Sequence, residues 1–163
     1  MANHIPNFLT GMTVFIDGVG LLGKAKTVAL PKIEQLRENF TSGGFERSAN
    51  TGVFKAMEAE ITLSEFNKAL SSALNANSPS FVIKGSIQQQ SDKRPVVVTF
   101  RGSFDLDDGN LEQGKETERK LKIFVDYYSF ELDGKTQIEM DVTNMIALID
   151  GVDHLEVMRK HIL

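Results

Sequence analysis

The amino-acid sequence predicts a mainly β protein of antiparallel strands, with one short flanking helix and a short C-terminal helix. Three observations support this fold class. Alternating apolar and polar residues recur in most segments of the 163-residue chain, as strands with one buried face require. Turn signals that contain glycine separate these segments. Helical spacing is confined to short stretches.

The N-terminal part is predicted to contain an arm and a hairpin. Residues 1–11 show little periodicity, and we expect them to form an extended arm. Thr13–Ile16 is β-branched and aromatic, and the Asp17-Gly18 pair that follows is a turn signal. Lys24–Leu30 then supplies the second strand of an opening hairpin.

A glycine pattern within this segment matches a dinucleotide-binding motif by letter. Gly18–Gly23 fits G-x-G-x-x-G and follows a strand, but such a site also needs a helix whose N-terminal amides meet the pyrophosphate. Lys24–Val28, with Pro31 shortly after it, is a poor helix former. Nucleotide binding through Gly18–Gly23 therefore remains only a remote alternative.

The local signals conflict between residues 31 and 52. A helix over Pro31–Phe40 is predicted because proline suits a first turn and three apolar residues recur at helical spacing: Ile33, Leu36 and Phe40. Ser42–Gly52 is polar and rich in glycine, and we expect a long flexible loop there.

A strand and a short helix are predicted next. Residues 57–63 alternate between apolar side chains and Glu58, Glu60 and Thr62, which favours a strand with an acidic face over a helix through MEAE. Ser64 is a candidate N-cap for a helix over Glu65–Leu74, whose apolar stripe would cover a sheet.

Two further strands are predicted to pair with each other. Phe81–Ile83 begins the first, and Pro95–Phe104 is its antiparallel partner across a polar run at residues 88–94. The partner carries four apolar residues on one face: Val96, Val98, Phe100 and Phe104. The acidic loop Asp105–Gly114 lacks the residue positions of an EF-hand, which favours a solvated turn over a calcium site.

The longest β pattern, Leu121–Met140, contains one change of phase. Apolar residues occupy odd positions as far as Tyr127 and even positions from Tyr128 onwards. Because side chains alternate with a period of two, this change predicts a bulge between or beside the tyrosines, with their rings on opposite faces.

The turn within this pattern contains Asp133-Gly134. A three-residue loop, Leu132–Gly134, is predicted because it pairs Glu131 with Lys135 and gives Gly134 a position with positive φ. A two-residue loop would instead place apolar residues opposite polar and charged ones.

The C-terminus carries a helix-start signal. Asp153 is predicted to be the N-cap, with Glu156 at the capping-box position and Val152 packed on Val157. The helix would expose His161 and bury three apolar residues: Leu155, Met158 and Ile162.

The composition offers no signal for catalysis. A net charge of −4 without clustered Lys and Arg argues against electrostatic binding of nucleic acid, and it is compatible with a surface that must not bind DNA. There is no cysteine, and none of the three histidines has a second ligand at i+3 or i+4. Neither an export signal nor an apolar run near the ~20 residues of a membrane span is present. We therefore expect no enzyme, cofactor, metal or membrane partner.

Several segments, in order, resemble the major tail tube protein of contractile-tailed, P2-like bacteriophages, a family that includes the tubes of R-type pyocins. The resemblance runs from about residue 10 to the C-terminus and rests on the collinear set rather than on one motif. The segments are VFIDGVGLLGKAKTVALPKIE, the GGF loop, KAMEAEITLSEFN, FVIKGSI, PVVVTFRGSF, the GKET stretch leading to VDYYSFELDG, EMDVTN and DGVDHLEVMR.

The resemblance implies one domain, 1–163, folded as a β-sandwich or barrel of antiparallel strands. It also implies that copies of this domain form hexameric rings, which stack into a hollow tube inside a contractile sheath. It implies that residues 32–40 and 53–62 are wall strands joined by a loop at 42–52, and this replaces the helix predicted over Pro31–Phe40. The other partners implied are the sheath, baseplate, tail terminator and tape measure proteins, in a virion tail assembled in the host cytoplasm. The tube of a tail-like bacteriocin or of a secretion or injection system is a near alternative.

Two sets of residues become candidates through this resemblance. The arm at 1–11 and the loop are expected to become ordered when rings stack, and the ring-stacking candidates are Ser42, Gly43, Gly44, Phe45, Glu46 and Arg47. The lumen-facing candidates are Gln35, Arg37, Glu58 and Glu60, and the carboxylates of the two glutamates would repel DNA phosphates. Placement of the glutamates on the outer surface is the alternative.

Overall fold

The protein, in a computed structural model that describes residues 4–16, 20–23 and 25–163, is built mainly from antiparallel strands. This confirms the predicted mainly β class. The described elements are, in order, β1 (Phe8–Ile16), β2 (Gly20–Gly23), β3 (Ala25–Ala29), β4 (Gln35–Ser42), β5 (Phe45–Phe54), β6 (Met57–Leu63), α1 (Lys68–Ala73), β7 (Ser80–Gln89), β8 (Asp92–Asp107), β9 (Arg119–Leu132), β10 (Lys135–Asp141), β11 (Ile146–Ile149), β12 (Val152–Asp153) and α2 (Glu156–Ile162).

Ten of these strands form one sheet, and the remaining two form a separate hairpin. The main path runs β12-β11-β10-β9-β8-β7-β1-β2, while β6 pairs with β9 and β3 pairs with β6. The first and last strands of this path do not pair with each other in the described residues. Of the two predicted forms, sandwich and barrel, the closed barrel is therefore not observed. Among the described strands, β4 and β5 pair only with each other, and we call this hairpin the ribbon.

The core lies under the longest strands, β8 and β9. The predicted apolar face of β8 is confirmed, because Val96, Val98, Phe100 and Phe104 are all buried. The ring of Phe104 meets Phe81 of β7 edge to face, with centroids 5.3 Å apart. Such aromatic pairs contribute roughly 0.5–1.5 kcal/mol beyond the area that they bury.

The change of phase in β9 is caused by a bulge at Asp126, beside the tyrosine pair. Arg101 of β8 lies opposite Tyr127 and Gly102 lies opposite Val125, so Asp126 has no partner in β8. The exposed guanidinium of Arg101 covers the Tyr127 ring, whereas Tyr128 is buried. The predicted bulge and the opposite faces of the two rings are confirmed.

The same bulge marks the point at which β9 changes its neighbour. Residues 119–125 of β9 pair with β6, and residues 127–132 pair with β10. The extra residue keeps the apolar side chains of both halves on the core side, because β8 alternates regularly along its whole apolar face.

The turn between β9 and β10 has two residues, so the predicted three-residue loop is wrong. Lys135 lies opposite Leu132. Asp133 and Gly134 have φ values of 53° and 75°, the positive angles that a type I′ turn needs at both central positions.

A bulge in β10 explains why the two-residue turn is compatible with apolar pairing. Gln137 has no partner in β9, and the register shifts there. Beyond this shift Ile138 lies opposite Phe130, and Met140 lies opposite Tyr128. The turn and the bulge together produce the apolar pairing that the sequence pattern alone assigned to a longer loop.

The opening segment differs from the predicted hairpin. Strand β1 begins at Phe8, within the predicted arm, and pairs with both β2 and β7. Residues 25–29 do form a strand, but its partner is β6. Gly20–Gly23 is itself a strand followed by another strand, so no helix begins there to hold a pyrophosphate. The Asp17-Gly18 turn lies outside the described residues.

The prediction of a helix over Pro31–Phe40 is wrong, because Gln35–Ser42 is strand β4. The predicted loop at 42–52 is also wrong, because its residues from Phe45 onwards belong to β5. The second implied wall strand, 53–62, is divided between the end of β5 and β6. Cross-strand pairing overrides the local helical spacing.

Both helices begin differently from the predictions. Helix α1 starts after Asn67 rather than Ser64, and the Asn67 carboxamide oxygen accepts the Ala69 N–H at 2.8 Å. Leu155 occupies the N-cap position of α2, with no side-chain capping bond. Asp153 serves another contact, described below. No residue of α2 is buried, so the predicted burial of Met158 and Ile162 is wrong, while Leu155 is partly buried against the core.

Candidate assembly surface

The ribbon presents two chemically different faces. Directly opposed residues share a face of a hairpin, and successive residues alternate. One face therefore carries Leu36, Glu38, Phe40 and Ser42 of β4 with Phe45, Arg47 and Ala49 of β5. The other carries Arg37, Asn39 and Thr41 with Glu46, Ser48 and Asn50. We call them the apolar face and the polar face of the ribbon.

Neither face of the ribbon is covered by the rest of the described chain. Phe40 is 46% exposed and Phe45 is 74% exposed, although both are aromatic. The guanidinium of Arg47 lies 6.0 Å from the centre of the Phe40 ring and has no ion-pair partner in the described residues. An isolated two-stranded hairpin is marginally stable in water, so this surface is suited to contact with another molecule.

The structure brings the six ring-stacking candidates together at the tip of the ribbon. Gly43 and Gly44 form the turn, with φ values of 60° and 78°. Ser42 and Phe45 are paired on either side of them, and all six candidates are exposed. Of these six, Ser42, Phe45 and Arg47 lie on the apolar face and Glu46 lies on the polar face.

The four lumen candidates fall into two groups. Gln35 and Arg37 lie on β4; the side chain of Gln35 bonds to Asn50, and Arg37 is exposed on the polar face. Glu58 and Glu60 lie on the exposed face of β6, within the main sheet.

The exposed face of β6, β9 and β8 is acidic overall. Its cross-strand rows run Glu60–Lys122–Asp105 and Thr62–Lys120–Asp107, and Glu58 Oε2 lies 3.3 Å from Lys122 Nζ. Four carboxylates therefore share this face with two ammonium groups. We call it the acidic sheet face. Exposed ion pairs of this kind contribute at most about 1 kcal/mol, so their main effect is on the field at the surface.

The predicted acidic loop is attached to the rest of the fold through Asp108. The buried Arg119 guanidinium forms an ion pair with Asp108 and lies 4.9 Å from the centre of the Phe66 ring. Arg119 Nη1 also donates to the Asn67 carbonyl oxygen at 3.4 Å. Within the described ranges, no group of three or more His, Cys, Asp or Glu residues is placed to hold a metal ion.

Helix α2 is attached to the sheet by polar contacts. The Asp153 carboxylate accepts the Leu155 N–H at 3.0 Å, the Ala147 N–H at 3.3 Å and Arg159 Nη2 at 2.9 Å. Arg159 Nη1 donates to the Met145 carbonyl oxygen at 2.7 Å. We call this set the Asp153–Arg159 clamp. Sequence analysis missed it, because a capping-box pattern is the simpler interpretation of the same residues.

The clamp predicts that α2 detaches in acid. Burial raises the pKa of the Asp153 carboxyl, but the donors from Leu155, Arg159 and Ala147 outweigh it and hold the pKa below its usual value. A lowered pKa in the attached state means that the ionised carboxyl stabilises attachment. This contribution is complete above the ordinary carboxyl pKa of about 4 and is lost as the pH falls through the lowered value.

Amide NMR signals of α2, followed during acid titration, measure this effect. We expect them to move toward random-coil positions in the same pH range in which the Asp153 carboxyl titrates. Asp153→Asn should weaken attachment already at neutral pH and remove that titration. Signals of α2 that stay native while the Asp153 carboxyl becomes protonated would contradict the role of the clamp.

Comparisons with known proteins relate this architecture to a family. The family model described as phage tail tube protein FII matches residues 6–162. The chain belongs to this family of phage tail tube proteins. It is 32% identical to the tail tube protein of Escherichia phage P2 over 168 aligned positions, which cover 97% of this chain and 98% of that protein. It is 26% identical to the major tail tube protein of Serratia phage KSP20, with 90% of each chain covered.

Family membership confirms the resemblance found in the sequence. The tail tube proteins are structural components of phage tails, which also confirms the prediction that the chain is not an enzyme. Among the described residues, no helix is long and apolar enough to cross a membrane.

Proposed function

We propose that copies of this chain form hexameric rings that stack into the inner tube of a contractile phage tail. The tape measure protein occupies this tube, and the genome later passes through it into the host. The chain is a virion component that assembles in the host cytoplasm, together with sheath, baseplate and tail terminator proteins. The ribbon is the observation that supports this most directly, because the rest of the described chain leaves its aromatic face uncovered and such a face is suited to contact with another copy.

The two faces of the ribbon have separate roles in this tube. The apolar face, with the ring-stacking residues Ser42, Phe45 and Arg47, contacts a neighbouring copy. The polar face, with Arg37, lies toward the lumen, and Gln35 lies at its base.

The acidic sheet face, with Glu58 and Glu60, continues the lumen lining. Carboxylates there repel DNA phosphates, so the genome slides instead of binding. The two similar proteins described above come from phages, which favours a phage tail over the tube of a tail-like bacteriocin or injection system.

Negative-stain electron microscopy of the purified protein at high concentration tests the proposal. We expect rings with sixfold symmetry and stacked tubes, whose number increases when baseplate proteins are added as nuclei. Ring symmetry other than sixfold would contradict the hexamer. Particles that remain monomeric in every condition, including with tail partners present, would contradict the tube itself.

A further inference from the structure

Helix α2 exposes the side that a peripheral helix normally buries. The charged Arg159 points toward the sheet as part of the Asp153–Arg159 clamp, whereas Val157 is 66% exposed and Met158 is 39% exposed. Amphipathic helices usually turn their apolar stripe to their own core. The clamp therefore holds α2 in an orientation in which an apolar surface stays available to another molecule.

This surface forms one wall of an open groove with a volume of about 880 Å³. The opposite wall is the base of the ribbon, Thr51–Phe54, and the floor includes Val125 and Met140. Asp126, the bulged residue of β9, also lines the groove. We call this space the α2 groove.

The apolar face of the ribbon carries side chains that complement the lining of the α2 groove. It carries two exposed aromatic rings, Phe40 and Phe45, and the cation of Arg47, which has no ion-pair partner among the described residues. The groove is mainly apolar, and its lining also includes Lys55 and three carboxylates, those of Glu58, Asp126 and Asp141. Lys55 is paired with Glu34, Glu58 with Lys122 and Asp141 with Asn144, whereas the Asp126 carboxylate has no hydrogen bond or ion pair with the described residues. The two surfaces are thus complementary in both hydrophobicity and charge.

We propose that the α2 groove receives the tip of the ribbon from a second copy of this chain, with Arg47 of one copy paired to Asp126 of the next. This inference rests on the proposed function, because it specifies which surfaces of the tube protein meet. The contact is heterologous, because each copy offers a ribbon at one place and a groove at another. Contacts of this kind build an open stack when the rotation between copies does not close into a ring.

The proposal also couples successive contacts. Thr51–Phe54 belongs both to the ribbon and to the wall of the α2 groove. A ribbon tip seated in the groove therefore packs against the base of the receiving copy's own ribbon and orients it. Each addition prepares the surface for the following one, so that growth from an existing end is favoured over new nuclei.

Charge reversal tests the pair directly. Arg47→Glu and Asp126→Arg should each raise the critical concentration for tube assembly by about tenfold or more, since a close interfacial charge pair is worth about 1.5 kcal/mol or more. The double variant should return most of the way to the wild-type value. Arg37→Glu is the matched control on the polar face, and we expect it to assemble normally. Circular dichroism checks that every variant is folded.

Cysteine cross-linking identifies the occupant, because the chain has no native cysteine. In tubes of the Ser42→Cys, Met158→Cys double variant, mild oxidation should produce a ladder of covalently linked copies. The Ile5→Cys, Met158→Cys variant should stay unlinked. If only the Ile5→Cys, Met158→Cys variant becomes cross-linked, the proposal is overturned and the groove is assigned to the N-terminal arm of another copy.

The outcomes separate this inference from the proposed function. The groove contact is overturned, and the tube is not, if the wild type forms tubes and the single charge variants assemble normally. The same conclusion follows if the wild type forms tubes and the double variant does not recover assembly. A wild-type chain that never assembles would overturn both.

Discussion

Gly102→Ala is expected to destabilise the protein by about 3 kcal/mol or more, the largest effect of any single methyl group that we anticipate. A Cβ atom at this position would lie 1.9 Å from the Phe124 carbonyl oxygen and 2.9 Å from the Phe124 carbonyl carbon. Both are backbone atoms of the neighbouring strand, so no side-chain rotation relieves the contact. The two central strands would have to separate.

The consequence extends beyond the clash because Gly102 lies opposite the bulge at Asp126, where β9 changes its neighbour from β6 to β10. Movement there would disturb both halves of the sheet and the floor of the α2 groove. Urea unfolding measures the effect. Gly11→Ala is the control, because its Cβ would have no atom within 4 Å. A Gly102→Ala protein within about 0.5 kcal/mol of the wild type would contradict the close approach.

Replacing both aromatic residues of the ribbon, Phe40→Ser with Phe45→Ser, is expected to abolish tube assembly while the monomer stays folded. Both rings are largely exposed in the isolated chain, so their loss removes little intramolecular packing. In the assembled tube each buried ring contributes roughly 1.5–3 kcal/mol. Two rings together then raise the critical concentration by about a hundredfold or more.

Sedimentation velocity and electron microscopy measure assembly, and thermal unfolding measures the stability of the monomer. Asn39→Ser with Ser48→Ala, on the polar face of the same ribbon, is the matched control and should assemble. Tubes formed by the Phe40, Phe45 double variant at the wild-type concentration would show that the apolar face is not a contact between copies. A large loss of monomer stability would show instead that these rings support the protomer's own fold.

Two of the errors in prediction share one physical cause. Helical spacing in Pro31–Phe40 and the burial expected for Met158 and Ile162 were both inferred from apolar periodicity. Apolar periodicity indicates that a side chain will be buried. It does not indicate which element, or which copy of the chain, buries it. Strand β4 pairs with β5, and the rest of the described chain leaves the aromatic face of the ribbon uncovered. Neither the pairing nor the exposure can be predicted from a local pattern.

The amino-acid sequence alone was enough to indicate the antiparallel β class, the buried face of β8, the bulge near Tyr127 and the family resemblance. These follow from alternation and from the order of segments, which are properties of the chain itself. Only the tertiary structure decided the register of the β9–β10 hairpin, the partner of β3 and the orientation of α2. Those depend on bulges, close backbone approaches such as Gly102 and the Asp153–Arg159 clamp, which exist only once distant segments are in contact.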